Sequence, residues 1–220
     1  MLINYLKKYP AIRSVGRCCL KILSWPKKKV EEIRFLMKCD NSIKDIQRVL
    51  EKEKFIFCFG TLLGIVRDNK ILGRDLDIDI GVLVESEKDI AKIRNLLVLN
   101  GYKQHVRFTV DTVGINQEAF FKNRVNIDVS YFFLKNERYI TYLLYEKDKV
   151  LMFDIGNKFS IKKICYKNMM INVPSNAESV LENIYGSDWR IPNKSYKYWE
   201  NKCATKLTLK GATLDFNVKK

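Results

Sequence analysis

Apolar residues recur at three- and four-residue steps from Val30 through Ile33, Leu36, Met37, Ile43, Ile46 and Val49 to Leu50. That spacing predicts a helix ending near Lys54. Pro26 is suited to open it, because its missing N–H falls where helix donors lack partners, and Asn41-Ser42 is a point where it could divide in two. Upstream, Met1 to Trp25 mixes aliphatic residues with Lys7, Lys8, Arg13, Arg17 and Lys21. Pro10 and Gly16 interrupt any single helix there, which predicts two short basic amphipathic pieces.

Phe55–Phe59 is an apolar run that reads as a buried strand, and Asp75, Asp77 and Asp79 then alternate with Leu76, Ile78 and Ile80. Ser86 caps a helix over 85–100 that Gly101 ends. From Tyr102 to Phe133 the period falls to two, which predicts a set of strands, the first carrying His105 and Arg107. Lys135 to Gly156 is open between helix and strand. Lys167-Asn168 joins 159–166 to 169–173 as a hairpin. Pro174-Ser175 caps a helix from Ala177 to Tyr185, stopped by Gly186. Residues 193–220 are basic and carry no assignable element.

In an extended strand alternate side chains share a face, so Asp75, Asp77 and Asp79 fall together. Carboxylates two residues apart lie roughly 7 Å from each other, close enough to repel unless a cation joins them. Hard oxygen donors of this kind suit Mg²⁺ or Mn²⁺. Gly60-Thr61 adds backbone N–H groups at a helix start with a hydroxyl beside them, a seat for phosphate. Aspartates that merely face solvent are the other reading of the alternation, although Asp is depleted in strands.

A second group is Arg124-Val-Asn-Ile-Asp-Val-Ser-Tyr131, where Asn126, Asp128 and Ser130 share one face of a strand. His105 reads as an ordinary surface or core side chain.

The chain has 220 residues, 47% hydrophobic and 12% aromatic, enough for a real core and contrary to disorder. Its 40 Lys+Arg against 25 Asp+Glu leave a formal charge of +15, which calls for anionic partners. Cys18, Cys19, Cys39, Cys58, Cys165 and Cys203 form no CxxC pair and no metal-ligand spacing with His105, so free thiols in a reducing compartment are expected. No apolar run is long enough to span a bilayer. The basic segment 1–26 can lie along an anionic membrane or pack on the domain with a solvated basic face.

GTLLGIVR followed by RDLDIDIG resembles the signature of the LicD/fukutin-related phosphotransferases, a branch of the nucleotidyltransferase superfamily. Gly60, Thr61, Leu62, Leu63, Gly64 and Arg67 match its first part, and Asp75, Asp77, Ile78 and Asp79 its second. Arg74 stands where the family usually has Trp, and Leu76 where it has a middle aspartate. Pro174, Leu181, Tyr185, Gly186, Trp189 and Pro192 resemble the family's "P…L…YG..W..P" ending. Tyr185 and Trp189 read as an aromatic brace or as a platform for a base or sugar.

The resemblance implies an α+β fold, a nucleotidyltransferase-like mixed β-sheet flanked by helices, here preceded by basic amphipathic N-terminal helices. The expected organisation is an N-terminal segment (1–26), a catalytic domain (27–192) and a basic tail (193–220). The resemblance also implies a third carboxylate on a neighbouring strand, matched by Asp128. Asp77, Asp79 and Asp128, assisted by Asp75, would hold Mg²⁺ or Mn²⁺, while Gly60, Thr61, Arg67 and Arg74 bind substrate. The implied donor is a CDP-activated alcohol such as CDP-choline, CDP-ribitol or CDP-glycerol. The implied acceptor is a hydroxyl of a cell-surface glycan or its lipid-linked precursor, in lipopolysaccharide or capsule biosynthesis. The expected place of work is the cytoplasm, in peripheral contact with the inner membrane face. Nucleic acid is not expected as a partner. The alternatives are nucleotidyl transfer to RNA or a small molecule, and a membrane-surface module without chemistry.

Overall fold

The computed structural model describes residues 10–216 except 74, 75, 147, 148, 194, 202 and 210, with side chains described at residue 27 and from residue 29 on, residue 200 apart. Its architecture is α+β: a large curled sheet, mostly antiparallel, with four α-helices among the described residues.

The chain runs through α1 (Pro10–Val49), β1 (Phe55–Phe57), α2 (Phe59–Asp68), β2 (Asp77–Val84) and α3 (Glu87–Leu99). Five strands follow: β3 (Lys103–Val110), β4 (Gly114–Lys122), β5 (Val125–Lys135), β6 (Arg138–Glu146) and β7 (Lys149–Asn157). The hairpin β8 (Ile161–Tyr166) and β9 (Met169–Pro174) leads to α4 (Ala177–Tyr185), and β10 (Ala204–Thr208) and β11 (Ala212–Asp215) close the chain.

Strand β5 is where the sheet forks. On one side it pairs antiparallel with β4. On the other, residues 126–133 run parallel to β2, and residues 133–135 turn to pair with β6. Both faces of β2 and β5 are largely covered, so they are rich in Ile, Val and Phe as buried parallel strands must be.

Helix α1 is continuous from Pro10 to Val49, where the sequence suggested breaks at Gly16, Pro26 and Asn41-Ser42. Beyond Phe35 the reason is burial: Phe35, Cys39, Ile43, Ile46 and Leu50 share one face against the sheet, and the stripe carries straight across Asn41-Ser42. Packing of an apolar face outweighs local propensity there. At Pro26 the helix forgoes one hydrogen bond rather than ending. The boundary expected between residues 26 and 27 therefore falls inside a helix.

The C-terminal segment also differs from expectation. β10 pairs with β7 at one edge of the sheet, and β11 with β3 at the other. Only residues 209–211 separate them, and so short a link reaches at most about 14 Å. The two edges must therefore approach, and the sheet curls. Phe108, Val110, Tyr142 and Val150 fill the curl, with Leu207 and Leu214 against them. No local pattern marks strands of this kind, because edge pairing supplies their stability.

Local signals elsewhere match the structure. The Asp89 carboxylate accepts from the N–H groups of Glu85 (2.9 Å) and Ser86 (2.8 Å) at the start of α3. Lys167 (φ 43°) and Asn168 (φ 65°) form the two-residue turn of the β8–β9 hairpin. Asn176, rather than Ser175, stands at the N-cap position of α4, without a side-chain capping bond, and Gly186 ends the helix at φ 94°. The open stretch 135–156 forms β6 and β7.

Candidate active site

The local chain reversal comes first. Buried β1 ends at Cys58, and the chain turns into α2 through Phe59, which has φ 44°. Holding a non-glycine residue in that region costs about 1–3 kcal/mol and persists only where the surroundings enforce it. Here the Phe59 ring packs against Phe132 and Phe153, each with centroids 6.0 Å away.

The turn is then bolted to β2. Asp79 N–H donates to Thr61 Oγ1 at 2.8 Å, Thr61 N–H donates to Asp79 Oδ2 at 3.2 Å, and Cys58 N–H donates to the Asp79 carbonyl at 3.2 Å. Gly60 is what lets the carboxylate come so close, since a Cβ on it would lie 3.2 Å from Asp79 Oδ2. This revises the phosphate seat at Gly60-Thr61: Thr61 is buried, and its N–H and hydroxyl both serve Asp79.

The parallel register of β2 on β5 sets Asp79 directly beside Asp128, and Asp77 beside Asn126. Asp77, Asp79 and Asp128 each offer an oxygen within 4.8 Å of the others, and all three are half-buried. Burial raises the Asp128 carboxyl above the ordinary range, and the field of His105 opposes that. Cys58 lies fully buried, its thiol pushed well up by burial and by the charges of Asp79 and Asp128. It stays a neutral thiol.

Three hard oxygen donors, a glycine cradle and a buried carboxylate fit a divalent cation such as Mg²⁺ or Mn²⁺. Strand β2 begins only at Asp77, because Leu76 adopts φ 66° and breaks the alternation. Asp75 and Arg74, which the sequence assigned to the site, both lie outside the described residues.

The acids stand on the wall of a cleft of about 1280 Å³. Its other walls come from α1 (Glu32, Leu36), the loop after α2 (Lys70, Leu72), Lys167, and α4 with the chain behind it (Tyr185, Asp188, Tyr196). Arg67 lines the cleft too, but its guanidinium is gripped by both oxygens of Asp68 (3.1 and 2.9 Å) and reaches the Trp189 carbonyl at 3.5 Å. It braces the C-terminal wall. Trp189 is buried in the core with Arg190 over its face at 4.2 Å, whereas Tyr185 lies at the cleft beside Tyr196. Both aromatics line the cleft, Trp189 almost wholly buried and Tyr185 partly so.

Sequence reasoning passed over several residues at the site. Lys70 and Gln117 line the cleft, and nothing in their local sequence distinguishes them. His105 sits at an irregularity in the β3–β4 register, between Gln104 and Val106. Such bulges re-aim side chains next to active sites. Val106 pairs with Ala119, and Ala119 with Asp128, so the bulge stands beside the row that leads to Asp128, whose carboxyl feels the field of His105. Its Nδ1 is buried without a hydrogen-bond partner.

A family model described as LicD/FKTN/FKRP, nucleotidyltransferase domain, matches residues 52–176, more than half the chain. The match takes in Gly60, Thr61, Arg67 and the three acids, and ends before Leu181–Pro192. No curated protein sequence matches the chain.

Proposed function

Because the chain belongs to the LicD/FKTN/FKRP family, whose members suggest phosphotransferase-type work on glycans, we propose that it transfers a phospho-alcohol from a CDP-activated donor to a glycan hydroxyl. The carrying observation is the β2–β5 register, which sets Asp79 beside Asp128 with Asp77 close by at the wall of a large cleft. In this reading the sheet is of the nucleotidyltransferase kind, with acids from two neighbouring strands facing one ligand.

Asp77, Asp79 and Asp128 would hold Mg²⁺ or Mn²⁺. An ion held there would supply positive charge against the phosphate oxygens of the donor. The protein's own groups do the rest. Thr61 and Gly60 keep the Asp79 carboxylate in place. Lys70 presents a cation to the cleft, and Arg67 holds its far wall in position. Close by in the chain, Arg74 is a further candidate for a donor contact and Asp75 for assisting at the metal. Asp128, beside Asp79 on the neighbouring strand, is placed to take the acceptor proton. The acceptor oxygen bonds to the distal phosphorus, the anhydride bond to CMP breaks, and the hydroxyl proton passes to the Asp128 carboxylate. No enzyme nucleophile is needed.

The acceptor in this reading is a cell-surface glycan or its lipid-linked precursor, met at the cytoplasmic face of the membrane by a peripherally bound protein. The test is release of CMP from CDP-choline, CDP-ribitol or CDP-glycerol by the full chain with Mg²⁺, with ATP, CTP and RNA as controls. Asp77→Asn/Asp79→Asn should abolish release while the fold survives. Undiminished release by that variant removes the metal role. Turnover of ATP or CTP alone points to nucleotidyl transfer.

A further inference from the structure

Helix α1 carries two apolar faces. Its inner face buries Phe35, Cys39 and Ile43. On another face Val30, Ile33 and Met37 repeat at three and four residues and are 43%, 50% and 76% exposed. Large apolar side chains clustered on one exposed face mark a contact surface. The same spacing recurs in the sequence of the preceding turns at Ile12, Val15, Cys19 and Ile22.

The charges along this stretch of sequence are mostly positive. Between residues 10 and 38 the sequence carries Arg13, Arg17, Lys21, Lys27, Lys28, Lys29, Arg34 and Lys38 against Glu31 and Glu32. Glu32 is already paired with Lys29 at 2.9 Å. A second copy laid along this face would set like charges against each other, whereas an anionic lipid surface complements them. No helix among the described residues is long and apolar enough to cross a membrane, so the helix would lie along it.

We propose that the Val30–Ile33–Met37 face of α1 docks on an anionic bilayer, with the apolar residues in the headgroup boundary and the cations among lipid phosphates. Glu32 and Leu36, in the same helical turns, line the cleft that holds the three acids. The docking stands on the helix alone.

The test is co-sedimentation of the full chain with vesicles of phosphatidylcholine, with and without phosphatidylglycerol, for wild type and Ile33→Glu/Met37→Glu. Both positions are exposed and away from the acids, so the thermal midpoint and its shift with Mn²⁺ should be unchanged. Wild type should bind the anionic vesicles, weaken as salt rises, and lose about tenfold or more in affinity in the double variant. No binding by wild type, or equal binding by the variant, overturns the proposal. So does a concentration-dependent dimer that the same substitutions break, which would assign the face to a second copy. The Mn²⁺ shift, read on the same samples, separates failure of docking from failure of the metal site.

Discussion

Thr61 and Asp79 hold each other by two hydrogen bonds of opposite sense, the strand N–H donating to the hydroxyl and the helix N–H donating to the carboxylate. The pair welds the first turn of α2 to β2. It also fixes the direction of a carboxylate that stands beside Asp128. A threonine that sequence alone would offer to a phosphate is thus a positioning residue for an acid.

Thr61→Val keeps the shape and removes the acceptor for Asp79 N–H. The expected loss is about 1–2 kcal/mol, read as a fall of roughly 2–8 °C in the thermal midpoint. Thr61→Ser should restore most of it. If Val and Ser variants melt alike, the hydroxyl has no such role.

Asp128 carries a pH signature with a definite sign. Burial raises its folded-state pKa above the ordinary 3.8, so the folded state favours the protonated carboxyl. The stability it adds is present below the unfolded value and is lost as pH rises through the raised folded value. Above that raised value and without metal, Asp128 is a charge in a half-buried site that opposes folding. Asp128→Asn should raise the metal-free midpoint near pH 7 by a few degrees, with the gain shrinking towards pH 3. The same variant should lose the stabilisation that Mg²⁺ or Mn²⁺ gives wild type. Thermal melts across pH, with and without metal, check both signs. A wild type more stable than the variant in metal-free buffer at pH 7 contradicts this account.

Glu118 is 0% exposed on the other face of β4. Its carboxylate accepts from Arg94 Nε (2.8 Å), Arg107 Nε (3.0 Å), Gln104 Nε2 (2.6 Å) and Tyr131 OH (2.7 Å). This cluster ties α3 to the strands that carry Asp128. Glu118→Gln leaves two arginines without their counter-charge. Because both are partly exposed, the expected cost lies at the low end of the range for breaking buried pairs, about 3 kcal/mol. Chemical denaturation should show a lower midpoint with an unchanged slope. A loss well under about 1 kcal/mol, the usual size for a surface pair, would mean that solvent screens the cluster.

What could be read from the sequence was local. The Asp77/Asp79 alternation, the acidic start of α3 and the Lys167-Asn168 turn each depend on neighbours a few residues away, and each stands in the structure. The adjacency of Asp79 and Asp128 depends on a parallel pairing across 49 residues of chain and entered only through family resemblance. Leu76 hid the start of β2, because nothing about an aliphatic residue announces a positive φ. The continuity of α1 past Asn41-Ser42 and the two C-terminal strands are tertiary effects, decided by a buried face and by sheet edges. His105 belongs with them: it stands at a bulge in the β3–β4 register, which its neighbours in sequence do not announce.

The central claim is that Asp77, Asp79 and Asp128 form one divalent-cation site. Electron paramagnetic resonance of free Mn²⁺ titrated with the full chain measures it most directly. The expected result is saturable loss of the free-ion signal, reversed by excess Mg²⁺ and absent in Asp77→Asn/Asp79→Asn. A wild-type chain that leaves Mn²⁺ free, or a double variant that takes it up equally well, would contradict the account.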